Sequence, residues 1–199
     1  MTNELQGKRV AAIVASGFEQ SELLEPKDAL EAAGARVDVI APESGEVRGW
    51  DHTQWGEEVP VDRTLNQAQP DEYDALLLPG GVMNPDRLRT NPKAVEFVRQ
   101  MFNDGKPVAA ICHGPWTLVE ADVVKGFRMT SYPSIKTDLK NAGATWVDEE
   151  VVVDRGLVTS RKPDDIPAFN RKMIEEFQEG RHGRGGKRQP ARARARTGA

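Results

Sequence analysis

The sequence predicts an α/β protein built on one open, mostly parallel sheet between two layers of helices. Three observations carry that expectation. Short β-branched apolar runs recur along the chain and stop at glycine or Pro-Gly. Amphipathic stretches of helical period separate them. The first elements read strand, helix, strand, a βαβ unit that calls for a parallel sheet covered on both faces.

The elements follow in order. "KRVAAIVA" (8–15), bounded by Ser16-Gly17, predicts a buried strand. "SELLEPKDALEAAGA" (21–35) gathers Leu23, Leu24, Ala29, Leu30 and Ala33 on one helical face. Ser21 suits its cap and Gly34 its end, while Pro26 predicts a kink or a late start. "RVDVIAP" (36–42) is the second strand. Residues 43–70 are polar and carry Gly45, Gly49, Gly56 and Pro60, which suits short strands or a hairpin. "YDALLLPGG" (73–81) is a buried strand running into two glycines. "NPKAVEFVRQMFNDG" (91–105) has an Asn cap, Pro at the first helical position, Val95, Val98, Met101 and Phe102 on one face, and a terminal Gly. "PVAAIC" (107–112) is a strand and "PWTLVEADVV" (115–124) starts a helix. "SIKTDLKNAG" (134–143) is a helix. "TWVDEEVVVDRGLVTS" (145–160) holds two or three strands with a turn at Asp154-Arg155-Gly156, and "PDDIPAFNRKMIEEFQ" (163–178) is a closing amphipathic helix.

The chain has 199 residues, enough for one domain with a sizeable core. We expect a domain over 1–179 and a tail over 180–199. The tail carries seven Lys or Arg and no acid, which leaves the domain at −11 within a net charge of −4. With almost no apolar content beyond Ala, the tail is expected to be disordered. It suits either weak contact with nucleic acid or simple solubilisation. No run is long enough to span a membrane, no secretory leader opens the sequence, and a lone cysteine makes no internal disulfide. A cytoplasmic protein with no membrane partner is the expectation.

That single cysteine, Cys112, stands at the carboxyl end of a predicted strand, followed by His113, Gly114 and Pro115. In an open α/β sheet functional groups collect beyond the carboxyl ends of the strands. A nucleophile on a sharp strand-to-helix turn is held exposed above the sheet, and helix N–H groups lower a thiol pKa. The N–H of His113 would be one oxyanion donor and Gly80-Gly81 would supply the other. The alternative is a small buried core residue, the commonest fate of a free cysteine. Three histidines exist: His52 in a loop, His113 beside the thiol and His182 in the tail. Glu19 follows the first strand and so belongs at the same sheet edge. There it either donates to a thiolate from a buried, protonated carboxyl or caps the next helix. One Cys and three scattered His make no zinc site, and no P-loop or dinucleotide fingerprint occurs. No metal and no cofactor are therefore expected.

"GFEQSELLEP", "YDALLLPGG", "GKPVAAICHGPWTL", "TSYPSIKTDLKNAGATWVDEEVVVD" and "LVTSRKPDD" together resemble the PfpI-type intracellular peptidase and general stress protein family. This is the ThiJ/PfpI group of the class I glutamine amidotransferase-like superfamily. The resemblance spans about residues 8–178. It implies a flavodoxin-like α/β sandwich with Cys112 as nucleophile, His113 as its neighbouring histidine and Glu19 as the carboxyl on the thiol. It implies that Asp86, in "NPDR", takes the place of an acid from a neighbouring subunit that orients the histidine. Asp is one methylene shorter than the family's Glu, and the loop is one residue longer. Tyr132 would lie near the pocket. The resemblance further implies a homo-oligomer, a dimer or larger ring. Its activities are peptide hydrolysis, deglycase or glyoxalase chemistry on methylglyoxal-type adducts, or redox sensing. Glutamine amidotransfer is disfavoured, since only His182 follows His113. The sequence thus leads to a stress-response cysteine hydrolase acting on small carbonyl adducts or peptides, with a redox sensor or chaperone as the alternative.

Overall fold

A computed structural model describes residues 3–183. Its amino-terminal half contains β1 (Arg9–Ile13), β2 (Phe18–Glu19), α1 (Gln20–Ala32), β3 (Arg36–Ala41), β4 (Glu46–Asp51), β5 (Gln54–Pro60), β6 (Arg63–Thr64), β7 (Ala75–Leu78) and α2 (Met83–Arg89). There follow α3 (Pro92–Asn103), β8 (Val108–Ile111), α4 (Pro115–Glu120), β9 (Arg128–Met129), α5 (Lys136–Asn141), β10 (Thr145–Trp146), β11 (Val151–Asp154), β12 (Leu157–Ser160) and α6 (Ile166–Glu179). The main sheet has seven strands in the order β11-β12-β8-β7-β1-β3-β6. Every neighbour pair is parallel except β11 with β12. The expected α/β sandwich with a mostly parallel sheet is what the chain forms.

Both faces of the sheet are buried because the strands alternate sides with apolar residues on each. On one face Ala11, Ile13, Leu76, Leu78, Val108 and Ala110 meet Val98, Met101 and Phe102 of α3 and Leu118 of α4. On the other, Val10, Ala12, Leu77, Ala109 and Ile111 meet Leu23 and Leu30 of α1 and Phe169, Met173 and Phe177 of α6. Asn91 caps α3 as its sequence suggests, its side chain accepting from the N–H groups of Lys93 and Ala94.

The structure departs from the sequence reading in three places and matches it over 43–70. Helix α1 starts at Gln20 with Glu19 in the cap position, so Ser21 lies inside it, and the helix runs through Pro26. The polar stretch 43–70 does form a hairpin, β4 with β5, which joins β2 in a separate three-stranded sheet. Helix α2 directly follows the glycine pair; its single buried leucine, Leu88, gives no apolar period to read. Finally, the chain stays packed past residue 179. The N–H of His182 donates to the Gly105 carbonyl (2.7 Å), and its ring lies against Gly156. The basic run over 184–199, with its expected disorder and nucleic-acid contact, lies outside the described residues. Among the described residues no helix is long and apolar enough to cross a membrane.

Strand register sets up the site. Leu78 of β7 lies opposite Ala110 of β8. Two further steps along each chain bring Gly80 beside Cys112.

Phe169 is wholly buried and anchors α6 to the sheet. Phe169→Ala is expected to lower unfolding free energy by about 3–5 kcal/mol in urea titration. A loss under about 1 kcal/mol would show that α6 does not close this core.

Candidate active site

Cys112 adopts φ 62°, in the left-handed region that non-glycine residues rarely enter. Backbone bonds on three sides hold it there. Its N–H donates to the Ser160 carbonyl (3.0 Å), its own carbonyl accepts from Tyr132 N–H (2.9 Å), and Gly114 N–H donates to the Ile111 carbonyl (2.8 Å). Glycine is required at two adjoining positions. A Cβ on Gly114 would stand 2.5 Å from the Leu78 carbonyl oxygen, and one on Gly80 would stand 2.6 Å from the Cβ of Cys112. The bend is the strand-to-helix elbow that the sequence suggested, and α4 begins at Pro115.

The thiol is 7 % exposed, and what surrounds it is polar as well as apolar. The backbone N–H groups of Gly81 and His113 lie beside the sulfur and favour its charged form. Burial pushes the Cys112 thiol well up, and a charged Glu22 beside it adds to that; the two N–H groups oppose the rise. This overturns the expectation of a lowered pKa: α4 is one and a half turns long, and desolvation outweighs its few N–H groups.

The carboxyl on the thiol belongs to Glu22, not Glu19. Glu22 is completely buried on α1, and its Oε2 accepts from Gly80 N–H (3.0 Å). Its Oε1 is buried with no conventional donor, and the carboxyl contacts the Cys112 sulfur. Burial pushes the Glu22 pKa up to about 8, so the carboxyl carries its proton at neutral pH. Glu19, one turn earlier, is half-buried, and its side chain lies in the fields of His52 and Asp51 on the β4–β5 hairpin.

His113 does meet the thiol. Its Nδ1 is 3.2 Å from Sγ and its Nε2 is 3.0 Å from the Ser134 hydroxyl. The ring stacks on Tyr132 at 4.9 Å between centroids and meets the edge of Trp116 at 5.2 Å. Trp116 is itself held by its N–H, which donates to Asp138 (2.8 Å). Burial lowers the His113 pKa, so the neutral imidazole prevails near neutral pH.

Of the residues singled out in the sequence, the structure gathers Cys112, His113, Gly80, Gly81 and Tyr132. It leaves Glu19 aside, and it places Asp86 on the exposed surface of α2, where within one chain Nε2 of His113 has Ser134 instead. His52 is on an exposed turn. His182 pairs with Glu176 (3.2 Å), and with Glu179 these side chains bring potential ligand atoms within 4.8 Å of one another at the end of α6, remote from the thiol in the fold. A cleft of about 780 Å³ lies beyond the carboxyl ends of β1 and β3, walled by Ser16, Arg87 and Lys93, and no residue of the thiol site lines it.

Glu22, Ser134 and Trp116 escaped the sequence reading. Glu22 had a usable signal: it lies in line with Pro26 and Leu30 at four-residue spacing, an acid on the buried face of α1. An ionisable side chain on an apolar stripe is seldom left unpartnered. Ser134 and Trp116 reach the site through tertiary contacts that no local pattern encodes.

With this geometry in place, comparison with known proteins is informative. Residues 8–176 match the model of the DJ-1/PfpI family. The chain is similar to "Protein/nucleic acid deglycase 2" of Escherichia coli (46% identical over 170 residues, 84% of this chain and 96% of that one). It is equally similar to "General stress protein 18" of Bacillus subtilis (46% over 170 residues, with the same coverage). Among solved structures it resembles a two-domain protein of Anabaena variabilis with a DJ-1/ThiJ/PfpI-like and a ferritin-like domain. There the TM-score is 0.81 at 36% identity, covering 85% of this chain and 48% of that one. A match over nearly the whole described chain, with the strand order and the cysteine elbow in place, shows that this chain belongs to the DJ-1/PfpI family.

Proposed function

We propose that the chain is a cysteine-dependent hydrolase that attacks the carbonyl carbon of small adducts of the methylglyoxal type, or of peptides. The observation that carries this reading is the elbow. One thiol has two backbone N–H groups beside it, an imidazole nitrogen at 3.2 Å, and a protonated carboxyl behind it. Relatives named as deglycases support the adduct over the peptide, as does a thiol that is only 7 % exposed.

The steps follow from the groups present. His113 Nδ1 accepts the thiol proton as the sulfur bonds to the carbonyl carbon. The carbonyl π pair moves to oxygen; with the substrate carbon bonded to sulfur, the N–H groups of Gly81 and His113 that lie beside the sulfur are the nearest donors for the developing charge. With Glu22 protonated, its carboxyl donates toward the sulfur instead of repelling it. In a peptide amide the nitrogen is on the attacked carbon: the oxyanion re-forms the carbonyl, the C–N bond breaks, and the amine takes the proton from His113, leaving a thioester on Cys112. Water then adds to the thioester carbon, the S–C bond breaks, the acid leaves and the sulfur takes back a proton through His113. In a methylglyoxal adduct the amine is on the adjoining carbinol carbon. Its C–N bond breaks as the carbinol O–H becomes a carbonyl, the amine takes the proton from His113, and the carbinol proton passes to His113. The S–C bond then breaks to return the dicarbonyl and the thiol. A redox-sensor role asks for an exposed thiol of low pKa, and burial beside Glu22 works against that.

Turnover of a methylglyoxal-modified amino-acid amide and of a peptide amide, each followed by release of free amine, tests the reading. Wild type is expected to turn over the adduct, and Cys112→Ala to fall to the buffer rate. Equal rates for the two proteins would remove the hydrolase reading.

Glu22 gives a second expectation, on stability. Its pKa of about 8 in the folded protein lies above the ordinary 4.5. The folded state therefore holds a proton that the unfolded state has released, and stability falls as pH rises from about 4.5 to about 8. Glu22→Gln mimics the protonated carboxyl and is expected to flatten that fall. Thermal melts of both proteins between pH 5 and 9 measure it, and parallel curves would show that Glu22 is charged in the native protein.

A further inference from the structure

A base that takes the thiol proton on Nδ1 must have that nitrogen bare, so its own hydrogen must reside on Nε2. What meets Nε2 therefore decides whether His113 can act at all. In one chain that partner is the Ser134 hydroxyl, 3.0 Å away.

Ser134 is an exposed residue, but the turn that carries it is fixed on both sides. It lies in the tight turn Pro133–Ile135, directly after Tyr132. Tyr132 N–H donates to the Cys112 carbonyl (2.9 Å), which ties this turn to the nucleophile's own backbone. Ile135 anchors the other end, being 1 % exposed. Between them, Tyr132 stacks on the imidazole with 24° between planes, and Trp116 meets it from another side at 65°. The ring thus has its plane set by two aromatic side chains, one nitrogen on sulfur and the other on a hydroxyl fixed to the same backbone.

We propose that Ser134 is a positioning residue of the site: by accepting the Nε2 hydrogen it locks His113 in the tautomer that leaves Nδ1 free for the thiol. This rests on the hydrolase reading for its kinetic consequence, but its structural consequence stands apart from it. Accepting from Nε2–H leaves the serine hydroxyl hydrogen turned away, so no proton is exchanged at Ser134 and the hydroxyl acts only through the ring.

Two measurements on the full-length protein test it. With three histidines in the chain, the ring nitrogens of His113 can be assigned by ¹⁵N NMR, with Cys112→Ala as a check on the assignment. Wild type is expected to show a protonated Nε2 and a bare Nδ1, and Ser134→Ala a mixture of tautomers. Kinetically, Ser134→Ala is expected to lower kcat about ten-fold with little change in KM, and to move the acid limb of the pH profile. Ser134→Thr, which keeps the hydroxyl, should restore both. The same tautomer and the same profile in wild type and Ser134→Ala would overturn the proposal. So would a shift produced by Asp86→Asn and absent in Ser134→Ala, which would give the role to an acid of a second subunit. Loss of the Ser134 effect with Cys112 still essential defeats only this inference, whereas activity that survives Cys112→Ala defeats the hydrolase reading and leaves the tautomer measurement intact.

Discussion

The backbone of Cys112 in the left-handed region is the constraint on which the rest of the site depends. Had β8 continued as a strand, its period of two would have sent residue 112 to the same side as Val108 and Ala110, toward α3 and α4. The positive φ turns the side chain instead to the opposite layer, where Cys112 packs with Ile111 and Leu23, beside Glu22 of α1. A left-handed residue other than glycine costs about 1–3 kcal/mol. The bonds to Ser160, Tyr132 and Ile111 hold it from both sides, and Gly80 and Gly114 leave the room it needs. One backbone angle thus selects which helix supplies the carboxyl and which loop supplies the N–H groups.

Electrostatics then follow from depth. Desolvation dominates the three buried ionisable groups here: it raises Glu22 and Cys112 and lowers His113. Each shift favours the neutral form. The sequence pointed the other way, because a cysteine ahead of a helix suggests a thiolate stabilised by the helix end. Six residues of α4 supply few free N–H groups, while the surrounding layers bury both Cys112 and His113.

Much of the fold was legible because its signals are local. The runs "KRVAAIVA", "YDALLLP" and "PVAAIC" are too short and apolar to be anything but buried strands, and the Asn-Pro start of α3 is a cap written in two residues. Helix α2 was illegible because it has one buried leucine and leans on Asn84, whose side chain donates to the carbonyls of Pro79 and Gly80. Within the site, Cys112, His113 and the glycines were readable because they stand at strand ends. The carboxyl was misplaced by three residues, one helical turn. Sequence order put Glu19 at the sheet edge, but the start of α1 at Gln20 carries Glu22 round to the inward face and leaves Glu19 beside the hairpin. Ser134 could not be read at all, since it meets His113 only because the turn after Tyr132 is bonded to the elbow.

The identity of the group on Nε2 matters beyond geometry. A carboxylate there would favour the imidazolium and, with it, a thiolate partner, so the resting site would hold separated charges on a sulfur and a ring that are both buried. Such charges are costly to bury unless fully paired. A hydroxyl fixes the ring equally well and adds no charge. In the proposed arrangement, with Ser134 on His113 and a proton on Glu22, the resting site is a thiol, a carboxylic acid and a neutral imidazole. In the proposed reaction charge arises only as the sulfur attacks, beside the N–H groups of Gly81 and His113. Dipoles fixed in advance and aimed at a charge absent from the ground state stabilise the transition state selectively, which is what catalysis by a buried thiol requires.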